Sequence, residues 1–256
     1  MPNVLPTVLI TGAASGIGAG LAIELARAGH HVAVTDLKLN DAAAVAAQIR
    51  DGGGSAEAVA LDVTSDASVA AAVGALARPC DVLINNAGLQ LVAPLETFPM
   101  AKWEFLIQVM LVGTARLTRA VLPGMRARGF GRVINMGSIH SLVGSPYKSA
   151  YVAAKHGLVG FSRVIALETA DVDITINTIC PSYVKTPLVD KQIAAQAHTR
   201  EIPEADVVRQ IMLKPMPKGV FIGYDELAGI TSFLISPPAR NITGQTIVVD
   251  GGWTAQ

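Results

Sequence analysis

The stretch from Thr7 to Ala28 limits the fold more than any other. Thr7-Val8-Leu9-Ile10 is a short, largely β-branched run and reads as a strand. It leads into Thr11-Gly12-Ala13-Ala14-Ser15-Gly16-Ile17-Gly18, and then into an alanine- and leucine-rich helix through Ala28, with Gly29 as its stop. Strand, glycine-rich turn and helix in that order are the context a dinucleotide-binding turn requires. The glycines let the backbone approach a pyrophosphate, and the helix N-terminus offers N–H groups and a positive dipole end. Gly12, Ser15, Gly16, Ile17 and Gly18 are therefore candidate cofactor contacts.

The same alternation runs down the chain. His31 to Thr35 is a second strand closing on Asp36, near the ~20-residue distance past the glycines expected for a carboxylate that accepts from the adenosine ribose. That carboxylate would repel a 2′-phosphate. No arginine occupies Ala13, Ala14, Ser15 or Leu37, so NAD is favoured over NADP. A helix from about Asp41 to Arg50 precedes a third strand, Ala58 to Leu61, which closes on Asp62-Val63. Asp62 either bonds an adenine amine there or caps the helix beginning near Asp66. Asp81 to Ile84 is a fourth strand, and Val133 to Met136 a fifth. Ile174 to Ile179 is a sixth, followed by the loop Pro181-Ser182-Tyr183-Val184-Lys185-Thr186-Pro187. A long helical segment, Trp103 to Arg128, is expected to break near Gly113 and Pro123-Gly124. A helix over Tyr224 to Ile235 and a strand over Gln245 to Val249 complete the chain. Alternating strands and helices predict an α/β fold: a doubly wound parallel sheet of Rossmann type, one domain over residues 1–256. The weakly patterned, proline-punctuated stretch from about 188 to 221 is expected to be a small helical lid over a site.

Composition narrows the partners. Twenty basic and 20 acidic side chains cancel, and no basic stripe stands out, which argues against nucleic acid. No uninterrupted apolar run approaches the ~20 residues that span a bilayer, and the N-terminus lacks a basic-then-apolar leader pattern. A cytoplasmic protein with no membrane partner is expected. Cys80 and Cys180 each sit beside a predicted strand and read as buried thiols. The five histidines show no ligand spacing, so no metal is expected.

Chemistry is expected between Ser138 and Lys155. Tyr151 and Lys155 are four apart, which on a helix places both on one face, one turn from each other. An ammonium beside a phenol favours the phenolate, so Tyr151 is expected to titrate below its ordinary value of about 10. Ser138 ends the apolar run Arg132 to Gly137, where its hydroxyl could bond the same reacting oxygen. Alone, a Tyr-x-x-x-Lys pair is an ordinary helix surface feature.

Together, Thr11 to Gly18, Asn85-Asn86-Ala87-Gly88, Ser138, and Tyr151 with Lys155 resemble the ordered motifs of the short-chain dehydrogenase/reductase family, over essentially the whole chain. The resemblance implies an oxidoreductase with Ser138, Tyr151 and Lys155 catalytic. NAD would be held further by Asn86, Ala87, Gly88, Pro181, Val184 and Thr186. It also implies a homotetramer joined through two long central helices, in which Trp253 is a candidate contact. The stretches Lys148 to Gly157, Ala166 to Ala170, Thr186 to Ile193 and Asp250 to Ala255 are similar to members that interconvert 3-hydroxybutyrate and acetoacetate. In those members the small hydroxy acid's carboxylate is held by residues matching Gln90, His140, Lys148 and Gln192. The set makes physical sense, because a small hydroxy acid offers a carboxylate and little else, so binding must come from charge-assisted hydrogen bonds. Other family substrates, such as a 3-oxoacyl group, a polyol or a cyclic alcohol, remain as alternatives, as does a non-catalytic NAD-binding role. Three positions depart from the pattern: Met110 where the family has asparagine, Ser182 where it has glycine, and Leu91 where those members have histidine.

Overall fold

The computed structural model describes residues 5–255. Seven strands form one sheet: β1 (Val8–Thr11), β2 (His31–Asp36), β3 (Ser55–Ala60), β4 (Val82–Asn85), β5 (Phe130–Met136), β6 (Asp173–Pro181) and β7 (Thr246–Val249). Their order is β3-β2-β1-β4-β5-β6-β7, and every neighbouring pair is parallel. The helices are α1 (Gly16–Arg27), α2 (Leu39–Asp51), α3 (Asp66–Gly74), α4 (Met100–Ile107), α5 (Gly113–Arg128), α6 (Ser149–Glu168), α7 (Pro187–Arg200), α8 (Glu204–Val207) and α9 (Tyr224–Ile235). The doubly wound sheet expected from the alternation is what forms.

The central strands are buried on both faces, which is why β1 and β4 read as short apolar runs, each closed by one polar residue. Side chains still alternate between faces with period two. Val8 and Ile10 enter the core under α1, α2 and α9, while Leu9 enters the other; Val82 and Ile84 part from Leu83 in the same way. Each such fully buried side chain contributes roughly 1.5–3 kcal/mol of transfer free energy. Strand order reverses between β1 and β4, so the carboxyl ends of these strands splay apart and leave a crevice.

Of the two breaks expected in the long helical segment, the one near Gly113 takes the form of a π turn and the one at Pro123-Gly124 does not occur. Gln108–Val112 winds as a π turn between α4 and α5, and α5 begins at Gly113. A Cβ at Gly113 would stand 2.9 Å from Val63 Cγ2 and 3.1 Å from Val63 O, so glycine lets the helix approach the end of β3. Pro123 does not end α5. Both Pro123 and Arg119, whose carbonyl loses its helical partner, are exposed to water. Residues 100–128 are long and apolar enough to cross a bilayer, but Val109, Met110, Leu117, Val121 and Met125 are buried in the core against the sheet.

Residues 187 to 222 form a lobe with its own apolar centre of Val189, Ile193, Val207 and Met212. Thr186 caps α7 by accepting from Val189 N at 3.2 Å. The lobe leaves and returns at one place: Val184 and Ile222 form a parallel bridge, closed by Ile222 N donating to Tyr183 O at 3.0 Å.

Candidate active site

Four strand ends build a groove over the crevice. Thr11 closes β1, and its hydroxyl accepts from Asn86 N at 3.0 Å and Ala87 N at 2.9 Å. Asn86 Nδ2 donates back to Thr11 O and Gly12 O, so the strand ends of β1 and β4 are laced together. Gly12 and Gly16 lie at φ +62° and +57°, in the left-handed region that favours glycine. A Cβ at Gly18 would lie 2.4 Å from Gly12 O, which the tight turn forbids. Space in front of Gly16 is open. Ser15, the N-cap of α1, makes no side-chain capping bond, so the first amides of α1 are free of that partner. Asp36 Oδ2 accepts from Ala14 N at 3.2 Å, fixing the carboxylate beside the turn. These features fit a dinucleotide: an open, amide-lined cradle at a helix N-terminus with a carboxylate at the next strand end.

Asp62 is partly committed elsewhere. Its Oδ1 accepts from Thr64 N at 2.8 Å and Thr64 Oγ1 at 2.7 Å, a local turn, while α3 is capped by Ser65. Val63 lies buried next to it.

Beyond the groove, Ser138, His140, Lys148, Tyr151, Val184, Thr186, Gln90 and Gln192 line one pocket, together with Ile17. The candidate substrate residues thus come from four separate segments to a single cavity. Ser138 is buried, in extended conformation, at the end of β5. Tyr151 and Lys155 face the same side of α6, with the Lys155 ammonium 5.6 Å from the Tyr151 ring centroid. Lys155 Nζ donates to Met136 O at 2.5 Å, which anchors the side chain on β5.

The electrostatics correct one expectation. Burial raises the Tyr151 phenol above its ordinary value. Its hydrogen bond with Ser138 pulls it down, and the neighbouring Cys180 thiol adds to the rise. Lys155 does not emerge as the group that lowers it. The lysine is itself buried, which lowers its pKa to about 8. Desolvation, invisible in a Tyr-x-x-x-Lys spacing, outweighs the ammonium.

In the pocket, burial first and the Lys148 charge second lower His140 to about 4, so the ring is neutral near pH 7. Its Nε2 stands 3.5 Å from Lys148 Nζ, and its buried Nδ1 has no hydrogen-bond partner among the described residues. Burial also lowers Lys148. The pocket therefore offers one desolvated cation, a neutral imidazole and two amides, a donor set suited to a carboxylate.

Trp253 and Tyr183 are among the lining residues not singled out for this pocket by sequence. Trp253 stacks on Tyr183 at 6.1 Å and meets the His140 ring edge-on at 6.1 Å. Rather than reaching only outward toward a subunit contact, the indole forms a wall of the site. A lone tryptophan near a chain end carries no sign of which surface it folds back upon. Tyr183 lies in the flagged loop, but its ring direction depends on the Val184–Ile222 bridge.

The departures resolve locally. Met110 is buried within the π turn, near Gly88, and its carbonyl accepts from Thr114 Oγ1 at 2.8 Å. Neither nearby amide replaces an asparagine there. Gln108 accepts from Arg116 at the surface, and Asn135 is bonded to Asn85 and Ser162. Ser182 keeps its backbone bond to Val249 O, while its hydroxyl donates to Met216 Sδ at 3.1 Å. Leu91 is exposed.

Comparison with known proteins gives the family. Residues 6–197 match the family described as short chain dehydrogenase. The chain is 41% identical over 255 residues to D-beta-hydroxybutyrate dehydrogenase of Rhizobium meliloti (strain 1021), covering 98% of this chain and 99% of that protein. It is 43% identical to a protein of the same name from Cupriavidus necator, covering 98% of each. A solved structure of gluconate 5-dehydrogenase from Burkholderia cenocepacia J2315, in complex with NADP and tartrate, superposes with a TM-score of 0.88 at 34% identity, covering 98% of this chain and 96% of that one. With its glycine turn, parallel sheet and full-length likeness to these oxidoreductases, the chain belongs to the short-chain dehydrogenase family.

Proposed function

We propose that the chain is an NAD-dependent dehydrogenase that interconverts 3-hydroxybutyrate and acetoacetate. The observation carrying this reading is the convergence of Gln90, His140, Lys148 and Gln192 on the cavity that also holds Ser138 and Tyr151. A pocket with this many donors and one half-buried cation suits a short hydroxy acid better than a long acyl chain. The names of the Rhizobium and Cupriavidus relatives support the same substrate.

Gly12, Ser15, Gly16, Ile17 and Gly18 would hold the pyrophosphate, Asp36 the adenosine ribose, and Asp62 and Val63 the adenine side. Asn86, Ala87, Gly88, Pro181, Val184 and Thr186 would frame the nicotinamide end. When bound, the nicotinamide supplies or accepts the hydride. This chain's own residues manage the proton. Tyr151, held protonated at neutral pH by its burial, donates to the carbonyl oxygen in reduction and, as phenolate, removes the hydroxyl proton in oxidation. Ser138 bonds the same oxygen where charge develops. Lys155, anchored on Met136 O, reaches the nicotinamide ribose and exchanges protons near its lowered pKa of about 8. Asp36, with no basic residue beside it but Lys38, supports NAD over NADP.

The lobe from 188 to 221 is read as a lid, since α7 brings Gln192 over the pocket. Exposed Phe105, Val164 and Leu167 on α4 and α6 support a homotetramer joined through these helices. A cytoplasmic location goes with the reading. A second reading, a dehydrogenase of polyhydroxy acids, is favoured by the likeness to the gluconate enzyme. One experiment separates them: initial rates of oxidation with NAD and NADP over both hands of 3-hydroxybutyrate, a 3-hydroxyacyl thioester, gluconate and a cyclic alcohol. The first acid with NAD is expected to give the highest kcat/KM, and Tyr151→Phe to abolish it. A higher value for gluconate, or retention of turnover by Tyr151→Phe, overturns the reading.

A further inference from the structure

We propose that Ser141 is a positioning residue for Ser138, holding that hydroxyl so that its hydrogen points at Tyr151. The proposal rests on the reading of Ser138 and Tyr151 as the groups that meet the reacting oxygen. A serine at the end of a strand has no helix of its own to fix its side chain. Here Ser138 caps a single 3₁₀ turn, Ile139–Ser141, and its Oγ accepts from His140 N at 3.2 Å. A hydroxyl that accepts an amide hydrogen keeps its own hydrogen directed away from that amide, free to bond Tyr151, which lines the same cavity and whose phenolate a Ser138 bond favours.

The turn that supplies the His140 amide is short and poorly self-supporting. Ser141 closes it. Its Oγ accepts from Ser138 N at 3.1 Å, while its own N–H donates to Ser138 O at 2.8 Å. The two serines thus cap each other reciprocally, as in the capping box of a longer helix. No room is left for the arrangement to slip. A Cβ at Gly137 would stand 2.6 Å from Cys180 Sγ, 2.8 Å from Thr178 Cγ2 and 2.9 Å from Ser141 Oγ. Ser141 is itself buried, and its Oγ crowds the same Gly137 as the Cys180 sulfur near the end of β6, where the loop Pro181–Thr186 begins.

Without it, Ser138 N–H is a buried donor that has lost a partner, and the His140 amide is no longer held under Ser138 Oγ. Tyr151 then loses the one bond that favours its phenolate. The groups facing that phenol are Ser138, the Cys180 thiol, Lys155 from its own helix and the neutral His140 ring, 6.2 Å away between centroids.

The test is a titration of tyrosine ultraviolet absorbance, with the Tyr151 component obtained by subtracting the Tyr151→Phe curve. Wild type, Ser141→Ala, Ser141→Thr, Ser138→Ala and the Ser138→Ala/Ser141→Ala pair are compared. Ser141→Ala is expected to move Tyr151 ionisation to higher pH, in the same direction as Ser138→Ala and by less. The double variant should match Ser138→Ala alone, because one residue acts through the other. Ser141→Thr, which keeps the hydroxyl, should follow wild type. Turnover of Ser141→Ala should fall roughly tenfold, less than the ~10²-fold expected for a lost direct donor, with KM for the dinucleotide unchanged. A Ser141→Ala titration that superimposes on wild type, additive shifts in the double variant, or a Ser138→Ala curve that leaves Tyr151 in place each overturns the proposal. The titration needs no substrate, so it stays readable if the chain turns over a different alcohol or none.

Discussion

Replacing Lys148 by methionine separates carboxylate binding from the chemistry. Methionine keeps most of the side-chain length and removes the charge. A hydrogen bond to a charged group is worth roughly 1.5–3 kcal/mol, and about 1.4 kcal/mol is tenfold. Loss of the Lys148 bond should therefore raise KM for the hydroxy acid by roughly 10- to 150-fold. The lower end is expected, because Gln90 and Gln192 line the same cavity and can still donate. Substrate and transition state carry the same carboxylate, so the binding lost is uniform and kcat should change little. A second signature follows from the neighbour. Burial is the larger cause of His140's low pKa and the Lys148 charge the next. Without the charge, the ring should titrate somewhat above about 4 while staying under its ordinary 6.5. Thermal stability should hold or rise, since a desolvated ammonium is removed. The assay is initial-rate kinetics on 3-hydroxybutyrate and on its methyl ester, with histidine NMR alongside. In wild type the acid should be strongly preferred, and in Lys148→Met the preference should collapse. Equal losses on acid and ester, or an unchanged KM for the acid, would refute the assignment of Lys148 to the carboxylate.

Three further outcomes are expected. Because burial raises Tyr151, kcat/KM for oxidation should climb as pH rises from neutral toward the tyrosine range, while reduction stays level and then falls; a flat oxidation profile contradicts this. Gly18→Ala forces a Cβ to within 2.4 Å of Gly12 O and 2.5 Å of Asn86 Nδ2, so chemical denaturation should show a loss of about 1–3 kcal/mol and calorimetry a weaker dinucleotide complex. His140 is lowered in the folded state, so the stability linked to it is complete above the unfolded value of 6.5 and is lost as pH falls toward about 4; the denaturant midpoint of His140→Gln should decline less than that of wild type over that window.

The sheet was legible because its central strands are buried on both faces, and such strands must be written largely as apolar runs. Val8 to Thr11 and Val82 to Asn85 allow little else. The glycine turn was legible for a related reason, since Gly12 and Gly18 each answer a local steric demand. What stayed hidden depends on distant groups. The spacing of Tyr151 and Lys155 places them on one face but says nothing of how deeply they are buried, and burial sets the sign of the tyrosine shift. The π turn at Gln108–Val112 has no proline or glycine inside it to announce it. Trp253 joins the pocket only because the chain end folds across Tyr183 and His140. Ser141 reads as one more loop serine until its partner at Ser138 N is seen.

The bridge between Val184 and Ile222 carries a consequence for how such a protein diversifies. The segment it encloses carries an apolar centre of its own, while Leu213, Met216 and Ile222 pack into the core of the sheet, so the stretch from Val189 to Met212 can be rewritten with less disturbance to the sheet than those three. Specificity for a new alcohol is then reached by exchanging a cassette, while the machinery that handles the nucleotide stays fixed beneath it.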